Sequence, residues 1–176
     1  MKILMVFVLD NLLGNLYQKM LTMRFIIILL FLPLKGITQL SYETIKMPKS
    51  VEETSGLELF GDYLITHNDS GDKPKLYIIN QKGKKIMEIE LNQLKNKDWE
   101  DITADSENFY IADTGNNYAT RENLKIYILD KDFFLKGTIS IRYEAQTTFS
   151  REPRNEFDAE ALAVIGDRLV LFSKKR

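Results

Sequence analysis

The chain contains no cysteine, which excludes disulfides, thiolate metal sites, cysteine nucleophiles and a lipidated N-terminal cysteine. A single histidine, His67, excludes a site built from several imidazoles. There is no excess of either charge: 24 basic and 25 acidic side chains give a net charge of −1, so no broad field favours nucleic acid or anionic lipid. Lysine and arginine are scattered, without the basic stripe of a nucleic-acid binder. No stretch after residue 40 keeps a helical period over several turns. The 176 residues set a prior of about one domain.

Long apolar runs are also scarce, and the one that stands out is Phe25 to Leu34. It follows Arg24 and gives way to the smaller, more polar Gly36, Ile37, Thr38 and Gln39. A basic start, an apolar run of about ten residues and a small-residue exit form the secretory signal pattern. A membrane span needs roughly twenty apolar residues. The expectation is therefore a signal segment over 23–39 that directs the chain to the periplasm, the cell surface or the medium. Membrane attachment would come only through that segment, if uncleaved. Residues 1–22, interrupted by Asp10, Asn11, Asn15, Gln18 and Lys19, read as an upstream mis-start or a short leader.

From about residue 40 to residue 176 the pattern is short apolar runs between turn residues. Tyr63 to Thr66 and Lys75 to Ile79 read as strands, separated by the polar turn His67 to Asp72. Met87, Ile89 and Leu91 alternate with Glu88 and Glu90, as a half-buried strand does. A second unit follows, with Glu100 to Ala104, Phe109 to Ala112, Leu124 to Leu129, and Ile139, Ile141 and Tyr143 as its expected strands. A third begins at Asp158 and reaches Phe172. Ser55-Gly56-Leu57 precedes Glu100-Asp101-Ile102 by 45 residues, and Asp69-Ser70-Gly71 precedes Asp113-Thr114-Gly115 by 44. The third opening lies 60 residues beyond the second, with the surplus in the polar stretch Thr147 to Asn155. Four strands per unit at a period of about 40–45 residues is the signature of propeller blades. The expected fold is all-β: a partial β-propeller of two four-stranded blades and the start of a third over 40–176, preceded by the signal helix. A β-sandwich with chance self-similarity is the alternative.

Ser55-Gly56-Leu57-Glu58, His67-Asn68-Asp69-Ser70-Gly71, Asp98-Trp99-Glu100-Asp101-Ile102, Asp113-Thr114-Gly115-Asn116-Asn117 with Arg121, and Phe157-Asp158-Ala159-Glu160-Ala161-Leu162 together resemble secreted bacterial β-propeller proteins. In style these are similar to the NHL-repeat, SdiA-regulated and phytase-like propellers. The resemblance spans about Thr54 to Lys174. It implies an export-compartment binding or scaffold module, and a parent with about six blades, of which this chain holds the N-terminal part.

Acidic residues at the unit entries are the leading candidates for chemistry: Glu58, Asp98, Glu100, Asp101, Asp158 and Glu160. Equivalent positions of successive blades converge on one face, where carboxylates repel unless a cation or a basic group lies between them. Without cysteine, and with one histidine, a metal here would be a hard, oxygen-seeking ion, Ca²⁺ before Mg²⁺. The phytase-like resemblance also implies calcium near the channel. Glu100 and Glu160 are the first candidate ligands, Asp101 and Asp158 the second. The competing structural reading makes these carboxylates clasps that accept N–H groups of the next blade. His67, Asp69, Asp113 and Arg121 are candidates for lining the channel or touching a ligand. Ser70 lies three residues from His67, but without the Gly-x-Ser-x-Gly elbow of a hydrolase. Trp99 reads as a packing residue between blades. The expected function is a binding or scaffold module for an unidentified protein or small molecule. The alternative is a calcium-dependent hydrolase of phosphoester or lactone type.

Overall fold

The computed structural model describes residues 17–20 and 42–174. The chain divides into a unit over 1–43 and a unit over 44–176. In the first, residues 17–20 are helical and exposed. The expected signal segment over 23–39 lies outside the described residues. Among the described residues no helix is long and apolar enough to cross a membrane.

The second unit is built from three antiparallel sheets. The first comprises β1 (Thr54–Phe60), β2 (Tyr63–Asn68), β3 (Lys75–Asn80) and β4 (Lys85–Glu90). The second comprises β5 (Asp101–Ala104), β6 (Asn108–Asp113), β7 (Lys125–Asp130) and β8 (Leu135–Ser140), and the third β9 (Ala159–Ile165) and β10 (Arg168–Ser173). In every sheet the spatial order follows the chain, each strand pairing antiparallel with the one before it. Gly61 and Gly166, each followed by aspartate, hold φ of 59° and 63° in the β1–β2 and β9–β10 hairpins. Positive φ at the first turn residue alone is the II′ pattern, which matches the twist of the flanking strands.

The strand expected around Ile139 to Tyr143 begins earlier, at Leu135. The reason is Asp130, whose carboxylate accepts the N–H groups of Asp132 and Phe134 and turns the chain within four residues. Leu135 then pairs with Leu129.

The sheets stack through their faces, and the two-residue period of each strand decides which side chain goes where. Phe109 and Ile111 of β6 join Ile65 and Leu76 of the first sheet in one core, completed by Leu91, Leu94, Trp99, Ile102, Tyr127 and Leu129. The intervening Tyr110 and Ala112 point the other way, into a second core with Ile126, Leu162, Leu169 and Leu171. The middle sheet is thus covered on both faces, which accounts for the unbroken apolar runs of β6 and β7. Burying each large side chain in these cores stabilises the fold by about 1.5–3 kcal/mol. A smaller cluster of Met47, Val51, Tyr77 and Ile79 seats the entry segment on the first sheet.

The first strands are the neighbours that connect the sheets: β1 lies against β5, and β5 against β9. Outer strands β4 and β8 are largely exposed. On the first sheet, Glu88 of β4 pairs with Lys75 and Lys85, and charge on an outer strand discourages further strand pairing.

Candidate functional site

The middle sheet is entered through an extended segment just before β5. Glu100 N donates to Ala112 O at 2.9 Å and Gly115 N donates to Asp98 O at 3.2 Å, so residues 98–100 run on beside β6 beyond the end of β5. Alternation then places Asp98 and Glu100 on one side and Trp99 on the other. Trp99 is fully buried, with its indole N–H on Lys95 O at 3.0 Å. The third sheet repeats this arrangement, with Asp158 and Glu160 flanking a fully buried Ala159. Asp-x-Glu therefore occurs at two successive entries, 60 residues apart.

The two pairs converge. Carboxylate oxygens of Glu100, Asp158 and Glu160 lie within 4.8 Å of one another, and so do those of Glu100, Asp98 and Asp69. Glu100 belongs to both groups. Asp69 arrives from the turn after β2, held by its N–H on Glu53 O at 3.0 Å and by Asn96 Nδ2 donating to its carbonyl at 2.8 Å. Gly115 makes the approach possible: a methyl group there would overlap Glu100 Oε1 and the Asp98 carboxylate.

The charges in this group are not treated alike. Asp158 accepts Asn116 N–H at 2.6 Å and faces Lys174 Nζ at 3.3 Å. The same ammonium bonds Glu160. Glu100 is 6% exposed, and no hydrogen bond from a described residue reaches its carboxylate. Burial first, then the carboxylates of Glu160, Asp98, Asp69 and Asp158, push its pKa up to about 8. Asp98 is pushed up to about 6, by burial and then by Asp69, with Arg121 opposing. Two unit charges at 4.8 Å repel by about 3–4 kcal/mol at an effective dielectric of about 20. Protons, a metal ion or an ammonium group all relieve that repulsion.

Other residues singled out in the sequence are placed elsewhere. Asp101 accepts Ile102 N–H at 2.8 Å and, across to the third sheet, Leu162 N–H at 2.7 Å. Glu58 accepts Ala104 N–H at 3.0 Å and the Thr103 hydroxyl at 3.3 Å. Both join adjacent sheets. Asp113 and Arg121 are committed to each other, in a buried pair at 2.7 Å. Arg121 also donates to Gly115 O at 2.7 Å, which frames the 113–121 loop. His67 is fully buried, edge-on to Trp99 at 5.5 Å between centroids. Its Nδ1 lies 3.0 Å from Asn68 O, and burial lowers its pKa. Ser70 and His67 share no hydrogen bond among those described.

Asp69, expected to line the channel or touch a ligand, joins the group, whereas Lys174 carried no signal of its own in the sequence. Lys174 follows the last strand, and only the pairing of β10 with β9 carries its side chain back to Asp158 and Glu160. Asp69 lies in a turn whose counterpart Asp113 points into an ion pair, so the repeated Asp-Ser/Thr-Gly phrase does not carry a repeated role. A cleft of about 240 Å³ opens beside Asp98, lined also by Asn116, Tyr118 and Thr120. Comparison with known families finds no family model that matches this chain, and comparison with curated proteins finds no match.

Proposed function

We propose that the three sheets are successive blades of an exported β-propeller, and that the protein is a binding module whose carboxylate group at Asp69, Asp98 and Glu100 takes a divalent cation, calcium first. The blade reading is supported by the up-and-down order of every sheet and by the neighbouring first strands. Export rests on the apolar stretch over 23–39.

The observation that carries the cation reading is Glu100, a buried carboxylate with no hydrogen bond from any described residue, set among four other carboxylates. Lys174 supplies a positive charge to Asp158 and Glu160. Among the described residues no ammonium or guanidinium pairs with the other half of the group, and its donor atoms are all hard oxygens, the preference of Ca²⁺ and then Mg²⁺. The hydrolase alternative also needs a base within reach of a substrate. His67 is turned into the core against Trp99, so a hydrolase would have to take its base from the carboxylates themselves, whereas binding needs no such group.

Thermal unfolding of the full chain at pH 8, in EDTA and across a calcium series, tests the proposal. Calcium at about 100 times its Kd stabilises by about 2.7 kcal/mol, which raises Tm by roughly 8–12 °C in a domain of this size. Glu100→Gln abolishes the rise. A Tm indifferent to calcium and magnesium would remove the cation reading.

A further inference from the structure

We infer that Lys174 is a tethered cation: its ammonium fills a second divalent-cation subsite, formed by Glu100, Asp158 and Glu160, and so limits the carboxylate group to one external ion. The inference deepens the cation reading above and rests on it for that one ion.

One backbone hydrogen bond recurs in all three sheets. Asp69 N donates to Glu53 O at 3.0 Å, Gly115 N to Asp98 O at 3.2 Å, and Lys174 N to Asp158 O at 2.9 Å. Each joins a residue shortly beyond the second strand of a sheet to a residue shortly before its first strand. Asp69, Gly115 and Lys174 therefore hold equivalent places, a correspondence that the Asp-Ser/Thr-Gly phrase does not give. All three border the same carboxylate group. Their side chains differ in charge. Asp69 adds a carboxylate, Gly115 adds nothing and leaves room for Glu100 and Asp98, and Lys174 adds an ammonium.

The set that Lys174 covers has the same spread as the set of Asp69, Asp98 and Glu100, with carboxylate oxygens within 4.8 Å of one another. A positive charge is already seated on it: Lys174 Nζ is 3.3 Å from Asp158 Oδ2 and bonds Glu160. Two features separate this from an ordinary surface ion pair. Asp158 is fully buried, and Glu100, which belongs to both sets, is 6% exposed and receives no hydrogen bond from any described residue on its carboxylate. The pairing of β10 with β9 also slips here, from Phe172 opposite Ala161 to Ser173 opposite Ala159. Glu160 is thus the extra residue of a bulge, a device by which a strand re-aims a side chain. Charge then fixes the count. With Lys174 in place, a second divalent ion meets an ammonium that repels it and competes for the same oxygens. Without the ammonium, three hard carboxylates, one of them shared with the first ion, are left for a cation that takes six or more oxygens. The Lys174 side chain is 35% exposed, so replacing it leaves the cores intact.

Calorimetric titration of the full chain with calcium chloride at pH 8, for wild type, Lys174→Met and Lys174→Arg, counts the ions. Wild type is expected to bind one calcium, Lys174→Met two, and Lys174→Arg one. Adding Glu160→Gln to Lys174→Met should return the count to one, because Glu160 belongs only to the second set. Lys174→Gln, which keeps an N–H donor for Glu160, takes the place of Lys174→Met if that variant does not fold. Failure of both to fold even in calcium would show that a divalent ion cannot stand in for the ammonium, and would overturn the inference. So would two ions on wild type or on Lys174→Arg, the same count in wild type and the neutral variant, or an added ion that survives Glu160→Gln. A wild type that binds no calcium, beside a Lys174→Met that binds one ion lost with Glu160→Gln, would sink the reading of Asp69, Asp98 and Glu100 as a cation site and leave this one standing.

Discussion

Replacing Glu100 by glutamine removes the carboxylate shared by both acidic groups, and in EDTA it should stabilise the chain at alkaline pH. The pKa of Glu100 rises from 4.5 to about 8 on folding. Between those values the folded state holds a proton that the unfolded state has lost, so stability falls as pH rises and the loss is complete above about 8. At about 1.4 kcal/mol per unit the whole shift corresponds to about 5 kcal/mol. Asp69 and Asp98 are only partly buried, so water and salt screen the repulsion, and about 2 kcal/mol is the effect to look for. Glutamine carries no charge at any pH and keeps the volume. Urea unfolding of wild type and Glu100→Gln at pH 5 and pH 8.5, in EDTA and at fixed ionic strength, gives the comparison. The two should agree within about 0.5 kcal/mol at pH 5, the limit for a substitution that breaks no packed contact. The variant should exceed wild type by about 2 kcal/mol at pH 8.5. The acid limb of wild type runs the other way because of His67, which is why the difference between proteins, and not either profile alone, isolates Glu100. A variant that is equal to wild type or less stable at pH 8.5 would refute the claim that Glu100 is buried, unpaired and repelled.

Gly115→Ala places a methyl group against Glu100 and Asp98; it should cost about 1–3 kcal/mol by urea unfolding and weaken the calcium response, whereas a neutral substitution would show the carboxylates are not held there. His67 has a pKa lowered by burial, so its contribution to stability is complete above about 6.5 and lost as pH falls below it. Its imidazole proton resonances should show no titration until well below pH 6.5, and an ordinary titration near 6.5 would mean that the contact with Trp99 is not maintained.

What was legible in the sequence is what a two-residue period controls. The alternation Phe109, Ile111 against Tyr110, Ala112 sorts one strand between two cores. The same period sorts Asp98 and Glu100 from Trp99, and Asp158 and Glu160 from Ala159. Strand starts were less legible where a side chain, not the pattern, turns the chain: Asp130 begins β8 four residues before the alternation at Ile139 does. Turn residues were least legible. Asp69 and Asp113 occupy matching phrases, yet one faces Glu100 and the other Arg121, because side-chain direction in a turn follows local hydrogen bonds. The capture of Asp158 and Glu160 by Lys174 depends on strand pairing at a distance, which no local pattern encodes.

The entry carboxylates show three ways to keep an acid between stacked sheets. Asp101 and Glu58 accept backbone N–H groups of the next sheet, so their charge holds register. Asp158 and Glu160 take an ammonium from the end of their own sheet. Among the described residues Glu100 has neither, although Ser55 donates to its carbonyl at 2.7 Å and Ala112 O takes its N–H. Its backbone is as firmly held as that of the others, so the unpaired carboxylate does not follow from a loose segment. A chain that needed only register at this position would gain from glutamine or from serine, which stands 45 residues earlier at Ser55. The fold bears the cost of Glu100 on its own, and the cation proposed for this group would relieve it, an account that architecture does not supply for this one acid.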